Sequence, residues 1–352
     1  MDNRRLKKVL IIKPSSLGDI IHALPVAAAL KKAVPGLRVD WVVFKAYEPV
    51  LSGHPAITNV IAFDRSKSGC GELSRFIKAL RAEEYDAAID LQGLLRSGIM
   101  IYACRAGKKI GLGSAREGAH FFYNKKISVP DPEMHAVDRY LLTLKAFGIP
   151  APEAPEFNIP ASREDLIEAG RVLKDAGINE GDEFIALAPS ARWITKRWPA
   201  ENFVRLAQAL KESIGLKYIF VGSADEAGVM SAFEDRTGHE NLAFGKTSLK
   251  GLAALLGKAK LMITNDSGPM HVAAAVGTDV LAIFGPTIPE RTGPYGSGHR
   301  VITSSAPCAP CLKKNCPDTK HNMRCMKEIT VEDVLRTAEE MLEGKDDKQG
   351  TP

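Results

Sequence analysis

The sequence predicts an α/β protein of two consecutive doubly wound units, and three observations carry that expectation. Short Val/Ile-rich runs alternate with stretches whose apolar residues recur at helical spacing through most of the 352 residues. The alternation breaks once, at the proline-rich stretch GIPAPEAPEFNIPASRED (148–165), and then restarts. The chain is long for one core and suits two domains of ordinary size. The expected division is 1–155, 156–330, and a C-terminal helix with a disordered tail over 331–352.

In the first half the candidate strands are Val9 to Ile12, Val39 to Val43, Val60 to Phe63, Ala87 to Asp90 and Lys109 to Gly111. Ile20 to Lys32, Leu73 to Ala82 and Gly93 to Ala103 read as helices between them. After the proline-rich linker, strands follow at Phe184 to Leu187, Tyr218 to Val221, Leu261 to Ile263 and Val280 to Phe284. Helices are expected from Asn202, Asp225, Leu249 and Pro269, and the polar tail from Gly344 reads as disordered.

Composition narrows the function classes. An apolar fraction of 45% and a charged fraction of 25% are those of a globular protein. A net charge of +5 suits an anionic substrate or a membrane surface, and with no recognition module beside it does not argue for nucleic acid. The apolar run near the N-terminus is four residues long and ends at Lys13, too short for a signal segment, so a cytoplasmic location is expected.

The strongest site signal is LMITNDSGPMHVAAAVGTDVLAIFGPT. A strand runs into Asp266 and Ser267, and Gly268 and Pro269 open a helix whose first-turn N–H groups are left for a ligand such as a diphosphate. His271 lies on that first turn; Asp266 and Ser267 could equally be simple caps. The loop APSARWITKRWPAENF adds Ser190, Thr195 and Lys196 as hydroxyl and ammonium donors. In FVGSADEAG, Asp225 and Glu226 stand where an acid accepts from ribose hydroxyls or caps its own helix. In the first half, KPSSLGDIIHALP is a strand-to-helix turn with Asp19 where a dinucleotide fold would place glycines, which disfavours an NAD-dependent enzyme. Asp19 there serves either its helix N-terminus or a proton transfer.

The ordered set PSSLGDIIHALP, DLQGLLRSG, GLGSAREGAHFFYN, HAVDRY, KRWP, GSADE and DSGPMHVAAAVG…FGPT resembles the ADP-heptose:lipopolysaccharide heptosyltransferases of glycosyltransferase family 9. The resemblance spans residues 8 to about 300, and SAREGAHFFYN…HAVDRY is more similar to the heptosyltransferase I branch than to heptosyltransferase II. It implies a GT-B fold, two Rossmann-like doubly wound domains facing across a cleft, with acceptor bound by the first and nucleotide sugar by the second. It implies inverting transfer of heptose from ADP-heptose to the inner core of lipopolysaccharide (Kdo or heptose), with no cofactor and no catalytic metal. Asp19 matches the catalytic base and Lys196 the phosphate-contacting lysine. Ser190, Thr195, Glu226, Thr247, Asp266, Ser267, Gly268 and His271 match the donor site. Thr247 stands where the family often has methionine, which weakens the expected packing on adenine. Ser16, Gly18, Arg65, Arg116 and Arg139 fall on the acceptor side, with Lys108, Lys109, Lys125 and Lys126 adding charge for a polyanionic lipid A–Kdo acceptor. Such an acceptor implies peripheral contact with the cytoplasmic face of the inner membrane. The readings held against this are a family 9 transferase using another nucleotide sugar or a later core acceptor, and a sugar-nucleotide-binding protein without activity.

Cys308, Cys311, Cys316 and Cys325 form C-x2-C-x4-C-x8-C with His321 inside it. That spacing is compatible with a structural zinc or with reduced thiols in a packed loop.

Overall fold

The computed structural model describes residues 6–67, 69–226, 241–320 and 322–349. Two compact units divide it, Met1–Pro160 and Ala161–Pro352.

In the first unit the elements run β1 (Lys8–Ile12), α1 (Leu17–Ala33), β2 (Arg38–Phe44), β3 (Asn59–Phe63), α2 (Cys70–Arg81), β4 (Glu84–Asp90), α3 (Leu95–Ala103), β5 (Arg105–Leu112), β6 (Lys125–Ile127) and α4 (Ala136–Leu141). The strands form one sheet in the order β3-β2-β1-β4-β5-β6, every pair parallel. Val9 on β1 lies opposite Val39 on one side and Ala87 on the other. The second unit holds α5 (Arg163–Asp175), β7 (Phe184–Ala188), α6 (Ala200–Ile214), β8 (Lys217–Gly222), β9 (Leu242–Phe244), α7 (Leu249–Leu256), β10 (Leu261–Asn265), α8 (Gly268–Ala275), β11 (Val280–Phe284), β12 (Arg300–Thr303) and α9 (Val331–Gln349). Its sheet repeats the same pattern, β9-β8-β7-β10-β11-β12, again all parallel.

A parallel sheet covered on both faces needs strands that are apolar on both sides, which is why FIALA and VLAIF are buried from end to end. Each sheet reverses its strand order once, between β1 and β4 and between β7 and β10. The connections leave those two strands in opposite directions, so a crevice opens beyond their carboxyl ends. The second core is closed by α9, whose Val334, Ala338, Met341 and Leu342 are buried with Phe203, Leu206 and Leu210 of α6. Trp198, fully buried, donates its indole N–H to the Ile329 carbonyl at 2.9 Å and pins the start of α6 to the segment before α9. Among the described residues no helix is long and apolar enough to cross a membrane.

Several expectations need correction. β6, β9 and β12 are absent from the sequence reading because each is an edge strand of three or four residues, too short for a period to register. The proline-rich segment is not loop throughout: α5 begins inside it, at Arg163, where Ser162 accepts the Asp165 N–H and Asp165 accepts the Ser162 N–H. α9 runs on to Gln349, into the polar tail expected to be disordered. The helix expected from Asp225 falls mostly on 227–240, outside the described residues.

Gly111 on β5 faces the ring of Tyr123, whose hydroxyl donates to the buried Asp90 carboxylate at 2.7 Å. A Cβ at Gly111 would collide with that ring. Gly111→Ala is therefore expected to lose about 1–3 kcal/mol, seen as a lower urea midpoint for the first unit; an unchanged midpoint would show that Tyr123 is free to move.

Candidate active site

In the first unit the crevice is built on the turn between β1 and α1. Lys13 follows the apolar run of β1 directly and is 1% exposed, so its ammonium needs partners from the protein. It donates to the Leu91 carbonyl at 3.0 Å and to the Tyr140 hydroxyl at 2.8 Å, and it stands 3.5 Å from Oδ1 of Asp19. Tyr140, on α4, donates in turn to the same Oδ1 at 3.2 Å. The other oxygen, Oδ2, accepts the Ser16 N–H at 3.1 Å and the Ser16 hydroxyl at 2.8 Å. Asp19 thus caps α1, and its side chain is 39% exposed.

The electrostatics of this triad are set by opposing effects. Burial by itself would raise the Asp19 pKa, but the Lys13 charge and the two Ser16 hydrogen bonds outweigh it and hold the carboxyl well below the usual range. Burial likewise works against the Lys13 ammonium, and the Asp19 carboxylate and Tyr140 reverse that, raising its pKa above the ordinary 10.5. A depressed carboxyl contributes stability above its ordinary value of 3.8 and loses it as pH falls through the lower folded value. A raised lysine contributes below 10.5 and loses it as pH rises through the higher folded value. The pair is therefore intact from mildly acid to distinctly alkaline pH.

Of the other residues expected on the acceptor side, Gly18 is buried in the first turn of α1. Arg139 precedes Tyr140 on α4 and is half-buried. The exposed Arg65 guanidinium lies 5.0 Å over the Phe44 ring, and Phe44 donates its N–H to the Pro14 carbonyl, which brings Arg65 beside the β1–α1 turn. Arg96, not foreseen, shares that ring at 5.3 Å. Arg116 is exposed on a loop tied to the end of β4 by its N–H to the Gly93 carbonyl at 2.8 Å.

In the second unit the crevice lies beyond β7 and β10. Lys196 Nζ and Asp266 Oδ2 are 2.6 Å apart, and Thr287 donates to the same Oδ2 at 2.6 Å. Lys196 also stacks 4.7 Å from the Trp193 ring. Asn265 ties the two loops together, donating to the Pro189 carbonyl at 2.6 Å and accepting the Trp198 N–H at 3.0 Å. Next to Pro189, the Ser190 hydroxyl is buried with no hydrogen-bond partner among the described residues. Ser267 and Gly268 open α8, Ser267 lying 3.2 Å from the Thr264 hydroxyl, and His271 is buried on its first turns.

Thr195 departs from its expected part. Its hydroxyl is committed to the Lys313 carbonyl at 2.9 Å and the Lys314 carbonyl at 3.3 Å, which makes it a strut for the following loop. Glu226 lies on the flanking strand end, beyond β8, and accepts the Ser223 N–H of its own turn at 3.0 Å. Thr247 is half-buried beyond β9, beside Ser248, whose hydroxyl caps α7 and donates to Glu168.

Lys13, Tyr140 and Thr287, like Arg96, escaped the sequence reading. A lysine at the end of an otherwise apolar strand, six positions before an acid, was the available signal for Lys13. Four of the six cysteines lie near one another, and burial first and then Cys308, Cys311 and Cys316 push the Cys325 thiol up to about 11. Among the described residues no three such groups are placed to hold a metal ion, and His321 lies outside them.

Removing the Lys13 charge leaves the Tyr140 hydroxyl and the Leu91 carbonyl short of a buried donor. Lys13→Met is expected to lower stability by about 1.5–3 kcal/mol near neutral pH in urea titrations, with part recovered in Lys13→Met/Asp19→Asn. A double-variant loss equal to the sum of the Lys13→Met and Asp19→Asn losses would mean that Lys13 and Asp19 do not interact.

Residues 73–321 match the family described as glycosyltransferase family 9 (heptosyltransferase). The lipopolysaccharide heptosyltransferase 1 of Pseudomonas aeruginosa is 35% identical over 324 residues, covering 88% of this chain and 87% of that protein. That of Escherichia coli strain K12 is 32% identical, covering 84% and 92%. Among solved structures, a family 9 glycosyltransferase from Veillonella parvula superposes with a TM-score of 0.82 at 27% identity over 97% of this chain and 98% of its own. E. coli heptosyltransferase WaaC with ADP gives 0.74, also at 27%, over 95% and 99%. With two units of one doubly wound topology, a lysine and a carboxylate at their strand-order reversals, and these relatives over most of its length, the chain belongs to glycosyltransferase family 9, the heptosyltransferases, and has their α/β GT-B fold.

Proposed function

We propose that this glycosyltransferase moves heptose from ADP-heptose to the inner core of lipopolysaccharide, with inversion at the anomeric carbon. The observation that carries the donor half is the crevice beyond β7 and β10: Lys196, the Ser190 hydroxyl, unpartnered among the described residues, and the start of α8, where Ser267 makes no side-chain cap, meet there. An ammonium and aligned N–H dipoles at a strand-order reversal suit a diphosphate, and they stabilise the charge that grows on ADP as it leaves. Glu226, on the neighbouring strand end, suits a ribose hydroxyl.

Asp19 is the proposed base. Lys13 keeps it ionised at any physiological pH, so the accepting form is always present, although a carboxylate held so low is a weak base in the resting state. The acceptor hydroxyl turns acidic only as its oxygen bonds to the anomeric carbon, and the proton moves at that stage. Ser16 Oγ–H on Oδ2 is the rotatable donor, and an acceptor hydroxyl takes its place without disturbing Lys13 and Tyr140 on Oδ1. Arg65, Arg116 and Arg139 are the proposed contacts to phosphates and acidic sugars of the acceptor. An acceptor built on lipid A brings the protein into peripheral contact with the cytoplasmic face of the membrane that holds it.

Asp19→Ala is expected to abolish turnover while ADP still binds in calorimetry, and wild-type turnover in that variant would remove Asp19 as the base. Lys196→Ala is expected to weaken ADP binding at least about tenfold, as befits the loss of one charge-assisted contact. ADP-heptose and UDP-sugars assayed side by side with defined acceptors test the substrate assignment; faster turnover of a UDP-sugar would overturn it.

A further inference from the structure

Among the described residues of the first unit, six large apolar side chains stand exposed: Leu73, Ile77, Leu95, Ile99, Tyr102 and Phe121. They are not scattered. Leu95, Ile99 and Tyr102 recur at helical spacing along the outer face of α3, while Ser97, Met100 and Ile101 point inward. Leu73 and Ile77 lie one turn apart on α2, which packs beside α3. Phe121 is 79% exposed on the single turn Ala119–Phe122, and this turn is held against α3 through Gly98, where a Cβ would collide with the Phe122 ring. The Phe122 ring also meets Tyr102, with centroids 5.9 Å apart. Exposed apolar side chains concentrated on adjoining elements, rather than spread singly, mark a surface that meets a partner.

The charge around this surface selects the partner. Residues 105–126 contain Arg105, Lys108, Lys109, Arg116, Lys125 and Lys126 against the single acid Glu117. Lys125 and Lys126 are exposed on the edge strand β6, whose neighbour β5 follows α3 directly. Lys109 donates to the Tyr102 carbonyl at 2.9 Å and holds its ammonium 5.3 Å from the Tyr102 ring. An exposed tyrosine and phenylalanine beside aliphatic side chains, framed by lysines, suit the boundary between acyl chains and anionic headgroups. A two-fold contact with a second copy would instead set this basic frame against itself.

We propose that the outer face of α3 and the Ala119–Phe122 turn form the surface by which the protein docks onto an anionic lipid bilayer. This deepens the membrane contact proposed above and depends on it only for the nature of the acceptor. Tyr102, Ile99 and Phe121 enter the headgroup region, and the lysines of β5 and β6 meet lipid phosphates.

The test is co-sedimentation of the full chain with vesicles of phosphatidylcholine alone, or with about one-third phosphatidylglycerol, at low and high salt. Binding is expected to be roughly tenfold tighter to the anionic vesicles and to weaken with salt. Ile99→Glu/Phe121→Glu is expected to lose at least about tenfold of that binding with an unchanged melting temperature, since both side chains are exposed. The same variant should keep wild-type turnover on a deacylated, soluble acceptor and lose turnover on acceptor embedded in vesicles. Absence of vesicle binding by the wild type, or equal binding by the variant, would overturn the proposal. So would a wild-type dimer that the double substitution makes monomeric while vesicle binding is unchanged, since the face would then be an interface between copies. If the wild type binds vesicles through these residues yet turns over neither acceptor, the proposed activity fails and the docking surface stands.

Discussion

Every feature of the two sites depends on one constraint of parallel sheets. Where successive connections leave a central pair of strands in opposite directions, the loops beyond those strands diverge and their carboxyl ends stay open. This chain meets that condition twice, between β1 and β4 and between β7 and β10. The Asp19 turn follows β1, and the Lys196 and Asp266 loops follow β7 and β10. The central strands β1, β7, β10 and β11 are apolar almost throughout, so the polar groups of the two crevices come from the loops beyond them.

The two reversals carry opposite electrostatics. In the first unit a buried lysine keeps a reachable carboxylate ionised; in the second, a carboxylate that is 6% exposed holds a lysine beside a helix N-terminus. Buried pairs of this sort add little net stability compared with apolar packing, but removing one partner is costly, so they fix where each charge sits. In the second crevice Asp266 is held by Thr287 as well as by Lys196, and Lys196, 17% exposed, keeps a face toward solvent, which is what the proposed diphosphate site requires. Lys13 has no such freedom. With Leu91, Tyr140 and Asp19 around it, it is a buried charge held in place by three partners.

The doubly wound class of both units was legible in the sequence because buried parallel strands are written as apolar runs, and β11 falls on the residues its pattern marks, Val280 to Phe284. Edge strands such as Lys125–Ile127 left no trace, since three residues at a sheet margin need no apolar period. α5 was hidden by the prolines before it, although Ser162 and Asp165 spell a capping box. Asp19, Lys196 and Asp266 were visible as polar residues at strand ends. Lys13 and Tyr140 were not, because a lysine after a strand ordinarily points to water; only the fold brings α4, some 120 residues on, against that turn. Thr195 illustrates the converse: its hydroxyl has the right chemistry, and the loop at Lys313 and Lys314 takes it.

The division of labour between the two crevices is tested most directly by amide hydrogen exchange with and without ADP. Nucleotide bound beyond β7 and β10 is expected to protect the amides of 189–198 and 265–272 while leaving 13–19 unchanged. Protection confined to 13–19 would place the nucleotide on the first unit and contradict the assignment of the donor to the second.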